Sequence, residues 1–104
     1  MREMNKYTVE KVEKCVCEYF NLDYEDVVVQ KSRQRDCSNA RHFIMRILHE
    51  DFRYSISTLA SHYNASGRTI ERACANVRNR CKIYKEYKKH YDIITTVLLD
   101  LDIG

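Results

Sequence analysis

The sequence predicts an all-α domain of five to six helices that includes a helix-turn-helix. Apolar residues recur at steps of three and four along most of the chain, which is the spacing of one helix face. Proline is absent and glycine occurs only twice among 104 residues, so few positions interrupt a helix. Two short amphipathic segments flank a tight turn at residues 63–66. The length suits a single domain, residues 1–104, with its core over about residues 8–98.

The first third of the chain predicts two helices and a basic loop. Thr8 can cap a helix through residues 9–21, whose apolar residues form one face. Asp23 can cap a short helix over residues 24–29. The three valines in that segment could instead form a strand, but no second β-like run is present to pair with it. Residues 30–36 are polar and basic without apolar periodicity, which predicts a loop.

A long amphipathic helix is predicted after this loop. Either Asp36 or Ser38 can cap it, and its apolar stripe continues to about Asp51. This stripe is the cleanest in the sequence and predicts the central core helix. Its apolar positions are Ala40, Phe43, Ile44, Ile47 and Leu48.

The helix-turn-helix itself is predicted over residues 55–77. Ser55 can cap its first helix and Ser66 its second, because a serine hydroxyl accepts a hydrogen bond from a free amide of the first turn. Asn64 tolerates the left-handed conformation that ends the first helix. After a break near Tyr84, a last helix is expected to pack back on the core with Tyr87, Tyr91, Ile94, Val97 and Leu98.

Charge is segregated along the chain. The net charge is +3, but residues 30–91 hold fourteen basic and five acidic side chains, whereas the two ends are acidic. The positive charge thus collects on the helix-turn-helix and the segment before it. This distribution is typical of a protein that binds the phosphate backbone of nucleic acid.

Several function classes are not expected from the sequence. The odd cysteine count favours reduced thiols over disulfides. The five cysteines lack zinc-site spacing and the four histidines are scattered, so no metal site is predicted. No nucleophile, base and orienting group stand together, so we expect no enzyme and no catalytic residue. No apolar run reaches the roughly 20 residues of a membrane span, and no signal peptide is apparent, which favours a cytoplasmic protein.

The exposed side of the second motif helix carries the residues best suited to read DNA bases. An arginine can bond guanine through two donors, which discriminates against another base by about 1–3 kcal/mol. Arg68 and Arg72 follow the turn directly and are the first candidates, although arginines on a helix surface are often merely solvated. The residues off the apolar stripe are Arg68, Thr69, Arg72 and Asn76.

The remaining candidates each have a structural alternative. Arg33 and Arg35 can enter a minor groove beside the helix-turn-helix, or they can belong to a solvated loop. Ser55 begins a helix whose free amides suit a phosphate, but capping explains it equally well. Tyrosines 84, 87 and 91 alternate with lysines and could stack on bases, yet their spacing is more typical of core residues.

The chain resembles the C-terminal DNA-binding domain of the bacterial replication initiator DnaA, which shares its fold with the trp repressor. The segments that carry the resemblance are VEKCVCEYFNLDYEDVVVQKSRQR, ARHFIMRIL and SISTLASHYN. The resemblance implies that Arg33 enters the minor groove with Lys31 and Arg35 beside it. It also implies that Arg41 and His42 lie near phosphates at the start of the long helix.

The sequence differs from this family at the residues that face the bases. The family's Gly-Gly-Arg-Asp-His-Thr-Thr segment is replaced by residues 64–69, which are one residue shorter. Ser66, Gly67 and Arg68 stand where Asp, His and the first Thr are expected, and Thr69 is retained. The resemblance therefore implies the fold and general DNA binding, but not recognition of the family's own origin sequence.

These observations lead to two hypotheses about function. The first is a nucleoid-associated protein that binds double-stranded DNA selectively and acts in replication initiation or its regulation. The second is a small helical module that keeps the fold but binds a replication or transcription protein. Neither requires a cofactor, and the nucleotide-binding pattern Gly-x-x-x-x-Gly-Lys-Ser/Thr is absent.

Overall fold

The computed structural model describes residues 4–100 and is helical throughout its regular structure. Its five α-helices are α1 Lys6–Tyr19, α2 Arg35–Arg46, α3 Ile56–His62, α4 Gly67–Ile83 and α5 Lys85–Asp100. One π-helical turn, Glu25–Val29, stands between α1 and α2, and a second, Ile47–Asp51, extends α2. Residues 4–100 contain no strand. The predicted all-α fold of five to six helices is therefore confirmed, with Glu25–Val29 as the sixth.

Helix α2 lies at the centre of the core. Its side chains Phe43 and Ile44 are almost fully buried, as is Leu48 of the π-helical turn that extends it. Helix α4 packs along α2 more extensively than any other helix does. Helix α1 adds Val12 and Val16 from the other side. Each such side chain stabilises the fold by about 1.5–3 kcal/mol through removal of its surface from water. The predicted central helix is thus confirmed.

The start of α1 differs from the prediction. Asn5, not Thr8, is the N-cap, because its Oδ1 atom accepts hydrogen bonds from the amides of Tyr7 (2.9 Å) and Thr8 (3.4 Å). Thr8 lies inside the first turn and is buried. The helix extends towards the N-terminus because nothing in the segment before Thr8 breaks it and Asn5 supplies the acceptor.

The basic loop is shorter than predicted. Helix α2 begins at Arg35 with Gln34 as its N-cap residue, so neither Asp36 nor Ser38 caps it. Ser32 fixes the approach, since its hydroxyl accepts a hydrogen bond from the amide of Gln34 (3.3 Å). Asp36 instead places a negative charge in the first turn, which favours the positive end of the helix dipole. Arg35 is consequently a helix residue and not part of the loop.

The last two helices meet at the predicted break. Tyr84 is extended (φ −113°, ψ 116°) and separates α4 from α5. Tyr87 and Tyr91 pack on the ring of Phe43, with centroid distances of 4.8 and 6.0 Å, so these half-buried rings lie against the core. Ile94 is buried as predicted, as is Leu98. Val97 is 42% exposed, which corrects its assignment to the core.

The described residues also bear on the cysteines and on membrane spans. All five cysteines are unpaired. Within residues 4–100, no helix combines the length and the apolar character needed to cross a membrane.

Candidate nucleic-acid interface

The helix-turn-helix is formed by α3, α4 and a turn of four residues. Tyr63 ends α3, and Asn64 reverses the chain in the left-handed conformation (φ 51°). Ser66 is the N-cap of α4, and its hydroxyl accepts a hydrogen bond from the amide of Thr69 (3.1 Å). The predicted roles of Asn64 and Ser66 are confirmed, and the turn fixes where α4 begins.

Gly67 lets the first turn of α4 approach α3 closely. Its φ is not positive, so the backbone alone does not require glycine. A β-carbon at this position would lie 3.3 Å from Cγ2 of Ile56, tighter than an ordinary van der Waals contact. Because Gly67 has no side chain, it can offer DNA only its backbone, including an amide that the helix itself leaves free.

The outer face of α4 carries free basic side chains. Arg68 and Arg72 are exposed, and within residues 4–100 neither makes an ion pair or a side-chain hydrogen bond. Thr69 lies between them along the chain and is exposed, with its hydroxyl 3.0 Å from that of Ser66. The opposite face is buried through Ile70, Ala73, Cys74 and Val77. The helix therefore presents its predicted reading side to solvent.

Arg41 holds the basic loop in place. One guanidinium nitrogen donates to the carbonyl oxygen of Val27 (3.1 Å) and another to that of Ser32 (2.7 Å). The side chain is half-buried, and burial lowers the pKa of Arg41, which remains protonated at neutral pH. Two of its five donors are thus used within the chain, so Arg41 positions the loop.

Lys31 joins this loop to the turn of the helix-turn-helix. Its Nζ atom donates a hydrogen bond to the carbonyl oxygen of Tyr63 (2.9 Å). The backbone of Lys31 is left-handed (φ 52°), which turns the chain where the loop begins. Two segments that are 32 residues apart in the sequence therefore meet directly.

Arg33 and the start of α4 line a common cleft. The cleft has a volume of about 290 Å³, and its walls include Lys31, Arg33, Asn64 and Thr69. Arg33 is exposed and makes no ion pair or side-chain hydrogen bond within residues 4–100. A free arginine of the loop therefore stands beside the first turn of α4.

The two remaining basic candidates have different environments. Arg35 is exposed in the first turn of α2. His42 is half-buried, and its Nδ1 atom is buried without a hydrogen-bond partner among the described residues. Burial lowers the pKa of His42, and the charges of Arg80 and Arg41 lower it further. His42 is consequently neutral at pH 7 in the free domain.

Ser55 is a cap residue with little free surface. Its hydroxyl accepts a hydrogen bond from the amide of Thr58 (3.1 Å) and donates one to the hydroxyl of Thr58 (2.6 Å). Ser55 is only 9% exposed. The predicted N-cap is confirmed, and its hydroxyl is already used by α3.

A buried carboxylate of α1 holds the turn of the helix-turn-helix through hydrogen bonds. Glu13 is 3% exposed and accepts hydrogen bonds from the hydroxyls of Tyr63 (2.7 Å) and Tyr24 (3.2 Å). Burial raises the pKa of Glu13, although the two hydrogen bonds oppose the shift. Burial also raises the pKa of Tyr24 to about 12, so this hydroxyl keeps its proton at neutral pH. The side chain of Tyr63, and with it the turn, is held by α1.

Sequence reasoning missed two contacts that hold the turn, those of Glu13 and the hydrogen bond from Lys31 to Tyr63. Glu13 carried a signal, because it falls on the apolar face of α1 between Val12 and Val16. A carboxylate at such a position needs buried hydrogen-bond donors. The bond from Lys31 to Tyr63 carried no local signal, since both residues lie in irregular segments far apart in the sequence.

Comparisons with known proteins point to one family. The family described as bacterial dnaA protein helix-turn-helix matches residues 9–77. The chain is also 26% identical over 97 residues to the chromosomal replication initiator protein DnaA of Bacteroides fragilis (strain YCH46). That alignment covers 92% of this chain but 20% of the relative, so the chain spans a small part of that protein. No solved structure shows significant similarity to the chain.

The family match contains α1 from Val9 onward, the basic loop, α2 and the helix-turn-helix as far as Val77. These are the elements that bring the loop beside the first turn of α4. The chain therefore belongs to the bacterial DnaA helix-turn-helix family, a family of DNA-binding domains.

Proposed function

We propose that this domain binds double-stranded DNA selectively, with α4 in the major groove and the basic loop in the adjacent minor groove. The observation that carries the proposal is the hydrogen bond from Lys31 to the carbonyl oxygen of Tyr63. Because of this bond, the loop and the turn before α4 form one surface. A helix-turn-helix with an arm beside it can contact two neighbouring grooves at once.

Base reading falls to the exposed arginines at the start of α4. Arg68 and Arg72 have no partner within the described residues, so neither must break an ion pair there in order to reach a base. Either can donate two hydrogen bonds to guanine. Thr69 can contact a base edge or a phosphate from the same turn. These residue types differ from the Asp and His of the family pattern, so the preferred sequence differs too.

The loop contributes a minor-groove contact through Arg33. Arg41 and Lys31 hold the loop backbone, which reduces the entropy lost when Arg33 enters the groove. Narrow A·T-rich minor grooves attract arginine by their negative potential. Lys31 and Arg35 add positive charge on either side, which favours phosphate binding.

The proposed role follows from this binding. The domain acts in replication initiation or its regulation, as a binding protein without catalytic residues, and associates with the nucleoid. Membership of the family supports this role.

A double substitution tests the proposal. Arg33→Ala/Arg68→Ala removes one contact from each groove, whereas Lys11→Ala/Lys14→Ala removes the same charge from α1. We expect the first variant to bind duplex DNA at least about tenfold more weakly by fluorescence anisotropy, since each contact is worth about 1–3 kcal/mol. The α1 variant should bind like the parent. Equal affinity of the two variants at both low and moderate salt would overturn the proposal.

A further inference from the structure

A second basic surface lies where the C-terminal end of α4 meets α5. A shallow groove of about 570 Å³ runs between them. We call it the lysine groove, because four of its lining residues are Lys82, Lys85, Lys88 and Lys89. The DNA contacts proposed above use none of these residues.

The groove combines charge with exposed apolar surface. Lys85, Lys89, Ile93 and Val97 follow each other at steps of four, so they form one ridge of α5. The ridge is basic towards its N-terminal end and apolar towards its C-terminal end. Ile93 is 38% exposed and Val97 is 42% exposed, although both are aliphatic.

Most of the lysines in this groove have no acidic partner. Lys88 pairs with Asp92 (2.8 Å), which neutralises its charge. Lys82, Lys85 and Lys89 make no ion pair or side-chain hydrogen bond within residues 4–100. Three positive charges therefore stand uncompensated beside an apolar strip.

We propose that the lysine groove binds an acidic amphipathic helix of a partner protein. The apolar face of such a helix would cover Ile93 and Val97, and its carboxylates would meet Lys85 and Lys89. This is the helix-in-groove mode of recognition, with charge complementarity that fixes the orientation. The proposal adds a protein contact to the domain and does not depend on DNA binding.

Two observations favour a protein over DNA as the occupant. A DNA backbone offers phosphates to the lysines but leaves the aliphatic surface of Ile93 and Val97 unmatched. Lys82 follows Arg68 by 14 positions, which places it about 21 Å further along α4 at 1.5 Å per residue. The groove is thus at the opposite end of α4 from the residues that face DNA.

A second copy of this chain fits the groove less well than an acidic partner. Helix α1 exposes two glutamates, Glu10 and Glu18, but Glu10 already pairs with Lys14 (2.7 Å). Helix α1 also exposes Lys6 and Lys11, which would face the lysines of the groove. Its surface is therefore mixed in charge.

The test uses a labelled synthetic peptide that places leucines on one face of a helix and glutamates on the others. A scrambled peptide of the same composition is the control probe. We expect the amphipathic peptide to bind the full chain. The scrambled peptide should bind at least about fivefold more weakly, because only the first peptide can match both parts of the ridge. Equal binding of the two peptides would overturn the proposal.

Charge reversal identifies the site. Lys85→Glu/Lys89→Glu should weaken binding of the amphipathic peptide by at least about fivefold, because the double substitution replaces two attractions with repulsions. Lys6→Glu/Arg53→Glu makes the same charge change at exposed positions outside the groove and should leave peptide affinity unchanged. Equal affinity for all three proteins would contradict the proposal. Melting temperatures confirm that each variant is folded.

Two further measurements exclude the other occupants. Duplex DNA added in excess should leave the peptide bound, whereas stoichiometric displacement would mean that the lysines contact phosphate and would overturn the proposal. Sedimentation of the chain alone should show no self-association through the groove, that is, none that is present in the parent and lost in Lys85→Glu/Lys89→Glu. Such an association would assign the groove to a second copy instead.

Discussion

The ammonium group of Lys31 donates a hydrogen bond of 2.9 Å to the carbonyl oxygen of Tyr63. This bond joins the basic loop to the residue that ends α3. The carbonyl groups at the end of a helix have no partner within the helix, so a lysine is a favourable donor there. The position of the loop beside α4 therefore depends on one named contact.

Removal of that donor should loosen the loop without unfolding the domain. Lys31→Met keeps the aliphatic chain but cannot donate to Tyr63. Because the bond is exposed, we expect the free energy of unfolding to fall by only about 0.5–1 kcal/mol. Amide hydrogen exchange of residues 30–34 should accelerate. Lys11→Met on α1 should leave exchange of the loop unchanged, and unchanged exchange in both variants would refute the role of Lys31.

Arg41 should matter more for stability than the exposed arginines do. Arg41→Ala leaves the carbonyl oxygens of Val27 and Ser32 without their donors. We expect a loss of about 1–3 kcal/mol in the free energy of unfolding, measured by urea denaturation. Arg41→Lys should recover part of this loss, because a single ammonium nitrogen replaces the two guanidinium nitrogens that donate to these oxygens. Arg35→Ala, at an exposed residue without such bonds, serves as the control and should change stability little.

Glu13 should make stability depend on pH. Its pKa in the folded protein is raised by burial, so its contribution to stability is fully present below the unfolded pKa of about 4.5. That contribution is lost as the pH rises through the folded pKa. Glu13→Gln should flatten this part of the profile, because glutamine does not ionise but can still accept from Tyr63. Urea denaturation across this pH range measures the effect, and an unchanged profile would contradict it.

The hydrogen bonds that Glu13 accepts can be tested by a second measurement of stability. Glu13→Ala leaves the part-buried hydroxyls of Tyr63 and Tyr24 without their acceptor. We expect a loss of about 1–3 kcal/mol at neutral pH. Glu18→Ala, at an exposed position of the same helix, is the matched control. Equal stability of the two variants would mean that the turn does not depend on α1.

The N-cap of α4 should be worth about 1 kcal/mol. Ser66→Ala removes the hydroxyl that accepts from the amide of Thr69, and loss of such a cap costs about 0.5–2 kcal/mol. Thermal denaturation should show a lower melting temperature. Ser61→Ala, within α3 and exposed, should not lower it. A drop of the same size in both variants would indicate a general effect of serine loss.

The sequence was sufficient to predict most of the helices. Apolar spacing marked α1, α2, α4 and α5, because burial of one helix face leaves a periodic record. Ser55, Asn64 and Ser66 were identified because capping and left-handed turns are local requirements. The N-cap Asn5 was missed because Thr8 satisfies the same local pattern, and only the folded chain decides between them.

The candidate site was predictable in its residue types but not in its assembly. The free arginines of α4 and the loop followed from the charge pattern and the turn. That Arg41 serves the loop, and that Lys31 reaches Tyr63, depends on contacts between segments that are distant in sequence. Arg35 was predicted to lie in the loop but begins α2. The helix boundary is set by Gln34 and Ser32, and apolar periodicity gives no sign of the hydrogen bond between them.

Selection of bound duplexes from a random pool tests the two-groove proposal most directly. The parent should enrich one sequence, and Arg68→Ala should lose the preference for guanine at one or two positions of it. Arg33→Ala should instead relax an A·T preference at neighbouring positions, where the minor groove faces the loop. Failure of the parent to enrich any sequence, or identical profiles from all three proteins, would contradict the proposal.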